Sequence, residues 1–307
     1  MGHRRHVRRF HPINKQSQSF LIDKFSVMDI RKWQVMKDNV LKFNWDYFSD
    51  LAYQRAKISE KIRNSLLDAV IRNFKFEHWQ RAVKYKYALN PFSTLGSLID
   101  PGGRFNIGDI NPSQFSPFPA LYIASDKITA LQELLSQKIA ADQESQAFDF
   151  ALTNTSSVAN ISISGNLASV IDLNEQDKMQ NFVDLIKNFT ISDHLKINAK
   201  TIGLPSPNLT RTVPVLIDTL LLPNWRECPM QYDIPANSQI FGQLIVDAGI
   251  EGILYKSKFS GNNCLAIFPQ NFDEHSGSFI QLDDEAPAEI KIRRLDAKIW
   301  NELKEGK

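Results

Sequence analysis

Gly252-Ile253-Leu254-Tyr255-Lys256-Ser257 and Cys264-Leu265-Ala266-Ile267-Phe268 flank Ser260-Gly261-Asn262-Asn263. Two short apolar runs around a cluster of turn residues predict a β-hairpin. Immediately upstream, Asn237 or Ser238 can cap a helix whose stripe is Ile240, Leu244 and Ile245, and Gly249 stops it. A helix leading straight into a hairpin places the chain in a mixed class. Further upstream, prolines at 205, 207, 214, 223 and 229 make 201–235 irregular or edge structure. Before that, Met179, Phe182, Val183, Ile186 and Phe189 mark another helix. Val158 to Ile163 and Leu167 to Leu173 read as paired strands turning at Ser164-Gly165-Asn166. The fold class is α+β.

Toward the N-terminus, Leu121-Tyr122-Ile123-Ala124 is a short buried-type strand, and Ser125 or Asp126 caps a helix with the stripe Ile128, Leu131, Leu135, Ile139. Residues 141–157 are polar and small, an inserted loop or a frayed helix end. Asn90-Pro91 and Asp100-Pro101-Gly102-Gly103 are turn chemistry leading into Arg104-Phe105-Asn106. From Glu77, where Trp79, Arg81, Val83 and Tyr85 alternate, a strand period begins. Residues 21–76 form a helical extension: Val27, Ile30, Trp33, Met36 and Val40 recur at helical steps, as do Ile58, Ile62, Leu66 and Val70 with Leu67 and Ile71. The charges on their other faces read as solvated. Residues 1–20 are basic and aperiodic, a flexible arm.

Composition narrows the function classes. Of 307 residues, 43% are hydrophobic and 23% charged, so the chain folds. Thirty-six Lys and Arg against 34 Asp and Glu leave +2, which supplies no global attraction to nucleic acid. Cys228 and Cys264 make neither a disulfide framework nor a zinc site, and a reducing compartment, the cytoplasm, fits best. The histidines at 3, 6, 11, 78, 194 and 275 form no HExxH, and no metal is expected. No Walker loop, dinucleotide fingerprint or GxSxG elbow is present. The basic start lacks an apolar core, so no secretory leader is expected, and His6 stands where a myristoylation motif needs Ser or Thr. Val213 to Leu222, broken by Pro214 and Asp218, is far short of the roughly 20 residues of a membrane helix, and a soluble protein is expected.

The order of the pieces carries more. Gly103-Arg104-Phe105-Asn106 with Gly108 precedes Leu121-Tyr122-Ile123-Ala124-Ser125, and Ala130-Leu131-Gln132-Glu133 comes next. The hairpin quoted above closes the series with Ser257 and Asn263-Cys264-Leu265-Ala266-Ile267-Phe268. Over about residues 77–270 this resembles the RES domain family, whose name comes from an Arg, a Glu and a Ser. Arg104, Glu133 and Ser257 match those letters, Gln80-Arg81 matches the family's Tyr-Arg pair with the Tyr replaced, and Leu167 to Leu173 resembles its strand ending in Asp-Leu. The resemblance implies a diphtheria-toxin-like ADP-ribosyltransferase fold, a mixed β-sheet core with flanking helices. It would occupy residues 77–307, including a C-terminal strand and helix, after the N-terminal extension.

It also implies an enzyme that consumes NAD as substrate, with no recycled cofactor, as phosphorylase or glycohydrolase. Such an enzyme would be the toxin of a pair with an Xre-type antitoxin, with phosphate as a further partner. Alternatives are a protein ADP-ribosyltransferase, which shares every site residue, and a non-catalytic interaction protein keeping the fold. Nucleic acid is expected only through an antitoxin or the basic arm. By the resemblance, Glu133, Arg104 and Ser257 are catalytic, and Arg81, Arg104, Tyr122 and Ser257 bind NAD. Nicotinamide leaves from a pyridinium already charged, so one carboxylate, Glu133, suffices to hold the ribose and stabilise an oxocarbenium-like sugar. Arg104 and Arg81 suit the pyrophosphate, Tyr122 suits a stack on nicotinamide, and Ser257 suits its amide or ribose. Each has a plainer reading. At 100° per residue Glu133 lies opposite its helix's apolar stripe and reads as solvated. Arg104 reads as an exposed loop arginine, Tyr122 as core and Ser257 as a strand-end turn residue. Arg81 has Arg72 and Lys84 as near neighbours of the same charge.

Overall fold

Long runs of β-branched and aromatic residues over 70–84 and 158–172 build the two strands on which the rest is hung. The computed structural model describes residues 27–135, 158–205, 207–284 and 286–304. The expected basic arm, the polar stretch 141–157 and Ile139 lie outside them. In chain order come α1 (Val27–Lys57), α2 (Ser59–Asp68), β1 (Val70–Lys84), β2 (Gly102–Gly103), β3 (Asn106–Ile107), β4 (Leu121–Ala124) and α3 (Lys127–Leu135). Then follow β5 (Val158–Asp172), α4 (Gln180–Ile186), α5 (Asp193–Thr201), α6 (Val213–Leu220), α7 (Glu227–Tyr232) and α8 (Asn237–Asp247). Last are β6 (Gly252–Lys256), β7 (Asn263–Ile267), β8 (Phe279–Leu282), β9 (Arg294–Asp296) and α9 (Ala297–Lys304). The α+β class is as expected, and the described chain ends in two strands, β8 and β9, and the helix α9.

β1 runs antiparallel to β5 from Val70↔Ile171 to Lys84↔Val158, shifted only between Phe76 and Trp79. There His78 takes a φ of 56° and bulges out of the ladder. β5 pairs in parallel with β6 (Val170↔Gly252), β6 with β7 in the expected hairpin, and β7 with β4 (Leu121↔Ile267). β4 meets β1 at Gln80↔Ala124, so the circuit β1–β4–β7–β6–β5 closes on itself, while β8 and β9 continue from β5. Closure leaves fewer free backbone edges. Residues of β7 and Phe268 just after it alternate between two cores: Leu265 and Ile267 join Phe76, Leu121, Ile163 and Trp300, whereas Cys264, Ala266 and Phe268 join Leu66, Phe105 and Ile171. The second core, under α2, α4, α6 and α8, is the face on which the candidate site sits.

Three expectations need correction. The extension read over 21–76 is helical only to Asp68; Val70 and Ile71 leave the helical stripe and pair with Ile171 and Val170. Their β-branched side chains suit either period, and a strand partner decides. Ser164-Gly165-Asn166 is the interior of one strand and not a turn. A Cβ on Gly165 would stand 2.5 Å from the Phe279 carbonyl oxygen and 2.8 Å from the Phe76 ring, so glycine here admits a neighbouring strand. Finally, 201–235 holds α6 and α7, with Pro214 and Pro229 in first turns, where an N–H has no helical partner.

The chain divides into two compact units, one taking in the chain to Tyr47 with Ile191–Pro207, the other Phe48–Thr190 with Asn208–Lys307. In the first, Phe43, Leu195 and Ala199 are buried against Tyr47, Ile191, Ile202 and Leu204, while Trp33 and Met36 of the expected stripe are exposed.

Candidate functional site

β6 delivers Ser257 to the start of a tight turn closed by Ser257 N–H on the Asn262 carbonyl (2.8 Å) and Gly261 N–H on the Ser257 carbonyl (2.9 Å). Gly261 takes a φ of 80°, which glycine adopts without strain. The turn leaves the Ser257 hydroxyl 3% exposed and aimed at α3, donating to Glu133 Oε1 at 2.5 Å while accepting from the N–H of Phe259 (3.1 Å) and Ser260 (3.4 Å). The start of α3 is tied to the same turn. Asp126 accepts from Thr129 N–H (2.9 Å) and from Asn262 Nδ2 (2.9 Å), and the Thr129 hydroxyl lies 2.8 Å from Ser260 Oγ. Burial opposes the Asp126 charge, but the bonds from Thr129 and Asn262 outweigh it and hold the carboxyl below its usual range. Asp126 and Glu133 are seven residues apart, two helical turns, so one face of α3 carries both onto the hairpin turn. Glu133 is therefore half-buried against a polar neighbour instead of solvated.

A second clamp presents Arg104. Gly103 N–H donates to Asn106 Oδ1 (2.9 Å), the Tyr122 hydroxyl donates to that same oxygen (2.8 Å), and Phe105 N–H donates to the Tyr122 hydroxyl (3.0 Å). Burial pushes the Tyr122 phenol upward, so it stays protonated. A Cβ on Gly103 would stand 2.4 Å from the Tyr122 hydroxyl, so only glycine fits there. From α8, Gln239 Nε2 reaches the carbonyls of Pro101 (2.7 Å) and Asn106 (2.9 Å), and a Cβ on Gly242 would stand 1.9 Å from the Phe105 carbonyl oxygen. Sequence reasoning assigned no role to Asn106, Gln239 or Gly242 in holding this loop.

Arg104 is 7% exposed, not the exposed loop arginine of the plainer reading; its Nη1 donates to the carbonyls of Leu222 (2.8 Å) and Leu220 (3.5 Å) at the end of α6. Arg81 is 9% exposed, with Nη2 on the Ser93 carbonyl (2.8 Å), Nη1 on the Tyr122 carbonyl (3.1 Å) and Nε unpartnered among the described residues. Burial lowers its guanidinium to about 10, still cationic at neutral pH.

Arg81, Arg104, Tyr122 and Glu133 share the wall of one cavity of about 600 Å³, and Ser257 stands behind Glu133, outside that wall. The serine's hydroxyl is engaged by the Glu133 carboxylate, whose position it constrains. The same wall includes two residues that sequence reasoning missed, Trp225 and Arg226. Arg226 Cζ lies 4.5 Å and Arg104 Cζ 6.0 Å from the Trp225 ring centroid. Burial, with Arg104 beside it, lowers the Arg226 guanidinium, and Glu133 acts in the opposite direction. Cys264 also lines the cavity, and burial, then Glu133, push its thiol up, keeping it protonated and unreactive. Glu133 is the one carboxylate among the described lining residues, facing three arginines. Such a cavity attracts an anion and offers a single negative charge at one place on its wall. Among the described residues no group of three or more His, Cys, Asp or Glu could hold a metal, and no helix is long and apolar enough to cross a membrane.

No curated protein matches the chain. Among solved structures it is similar to a chain in the crystal structure of the M. tuberculosis MbcT–MbcA toxin-antitoxin complex, at 14% identity over 80% of this chain and 98% of that one, with a TM-score of 0.39. The RES domain matches residues 78–287, a span that holds the Ser257–Glu133 pair, Arg81, the clamped Arg104 and most of the closed strand circuit. The chain belongs to the RES domain family.

Proposed function

We propose that this protein cleaves NAD between nicotinamide and ribose, passes ADP-ribose to phosphate or water, and acts as the toxin of a toxin-antitoxin pair. The reading is carried by the Glu133 carboxylate, fixed by Ser257 at 2.5 Å on the wall of a cavity whose other charges are cationic. In that reaction the C1′–N bond breaks and its electron pair neutralises the pyridinium, so nicotinamide departs without a general acid. Positive charge develops at the ribose, where one preorganised carboxylate stabilises it. The incoming phosphate or water oxygen then bonds to C1′, water losing a proton as it does so. The cavity's arginines attract the diphosphate, and the half-buried Tyr122 ring and the buried Trp225 ring supply planar faces for the rings.

Purified protein incubated with NAD, with and without phosphate, should release nicotinamide, together with phosphorylated ADP-ribose in the first case and ADP-ribose in the second. Glu133→Gln should bind NAD and cleave it at least about a hundredfold more slowly. Its expression should leave growth unaffected where the wild-type chain arrests it. A folded wild-type protein that releases no nicotinamide defeats the proposal.

A further inference from the structure

The three arginines of the cavity are not equivalent. Arg81 spends both terminal nitrogens on the Ser93 and Tyr122 carbonyls, and Arg104 spends Nη1 on the end of α6. The Arg226 guanidinium makes no hydrogen bond or ion pair among the described residues; the residue is half-buried, lines the cavity and rests on the Trp225 ring. A cation–π contact with a ring consumes none of a guanidinium's N–H donors. Its donors match a phosphate's oxygens in pairs.

The second observation is repulsion. Arg104 and Arg226 approach the same ring, at 6.0 and 4.5 Å, and Arg104 contributes to lowering the Arg226 guanidinium. Two cations in a partly buried site are costly unless an anion lies between them. One carboxylate or monoanion offsets a single charge, whereas a diphosphate supplies a negative charge to each guanidinium. Glu133 lines the same cavity and acts on Arg226 electrostatically, so an anion held by Arg226 would share the cavity with that carboxylate.

We propose that Arg226, stacked on Trp225, is the residue that binds the diphosphate of a nucleotide substrate, and that it selects diphosphate-bearing ligands over nucleosides. This rests on the function proposed above. Arg104 would then serve partly to hold the Leu220–Leu222 end of α6, from which Trp225 and Arg226 follow.

The test uses binding and turnover separately. Calorimetry compares ADP-ribose, which carries the diphosphate, with adenosine, which does not, on wild type, Arg226→Gln, Arg226→Lys and the exposed control Arg63→Gln. Arg226→Gln should weaken ADP-ribose about tenfold or more and leave adenosine unchanged, since a charge-assisted contact is lost. Arg226→Lys should recover part of the loss and Arg63→Gln should match wild type. In turnover, Arg226→Gln should raise KM for NAD without raising it for nicotinamide riboside. Equal ADP-ribose affinity in wild type and Arg226→Gln, a parallel loss for adenosine, or no ADP-ribose binding by folded wild type would each overturn the inference. Arg226-dependent binding without nicotinamide release would instead defeat the catalytic reading alone.

Discussion

Replacing Ser257 with alanine tests the bond between the hairpin turn and Glu133. The lost contact is an O–H donor on a carboxylate at 2.5 Å, from a residue 3% exposed. Charge-assisted bonds of this type contribute about 1.5–3 kcal/mol net. If Glu133 works mainly in the transition state, that range lowers kcat by about 10- to 150-fold with KM little changed. The same substitution leaves the N–H groups of Phe259 and Ser260 without their acceptor, so stability falls as well. A loss of about 2–3 kcal/mol lowers Tm by about 4–12 °C in a unit of this size. A double-mutant cycle with Glu133→Gln, followed by nicotinamide release at a temperature where all four proteins are folded, separates the two effects. Glutamine keeps an oxygen that accepts from Ser257 but has no charge to orient. In that background Ser257→Ala should therefore cost stability and almost no further rate. A rate penalty of the same factor in both backgrounds, or a lowered Tm with unchanged kcat, would refute the positioning role.

Two further outcomes follow from buried groups. Arg104→Ala should lower activity at least tenfold and also destabilise by about 1–3 kcal/mol, because the Leu220 and Leu222 carbonyls lose their donor; thermal melts beside turnover show both, and wild-type rates in a folded variant would remove Arg104 from the site. Glu251, 2% exposed and accepting from Ala168 N–H (2.6 Å) and Ser278 Oγ, is pushed above its usual range by burial, against the effect of those bonds. The folded chain therefore binds its proton more tightly than the unfolded one, and the Tm of wild type relative to Glu251→Gln should fall as pH rises from the ordinary carboxylate range through the raised value, then level off. A difference independent of pH would mean that Glu251 does not titrate on folding.

What could be read before the structure was local. The β6–β7 hairpin was legible because both its signals, apolar alternation and a turn cluster, lie within one short stretch. The helix α8 and its terminal glycine were legible for the same reason, but its N-cap is Ala236 and not Asn237 or Ser238, and the Ala236 N–H donates to Gln239 Oε1 (3.0 Å). Gly165 was not, because what it accommodates, the Phe279 backbone and the Phe76 ring, is remote in sequence. Val70 and Ile71 satisfied helical and strand periods alike, and only the β5 ladder resolved them.

Site residues divide along the same line. The ordered motifs singled out Arg104, Glu133 and Ser257 as candidates, yet periodicity misjudged the burial of Glu133, since it assumes that a helix has one packed face and one wet face. α3 packs two faces: its apolar stripe on the core and the Asp126–Glu133 face on the hairpin turn. The seven-residue spacing of those carboxylates, set against the turn's Ser257, Ser260 and Asn262, was the available signal. Trp225 and Arg226 left no comparable trace, for they lie between two short helices in a proline-bearing stretch that reads as irregular, although Val213, Leu216, Ile217 and Leu220 of α6 recur at helical steps. Their position is set from a distance, by Arg104 gripping the end of α6. Anything that moves the 103–106 loop should therefore move Arg226 with it, so disturbing the Tyr122–Asn106 clamp or the packing of Gly242 on Phe105 should weaken the proposed anion subsite as well as displace Arg104.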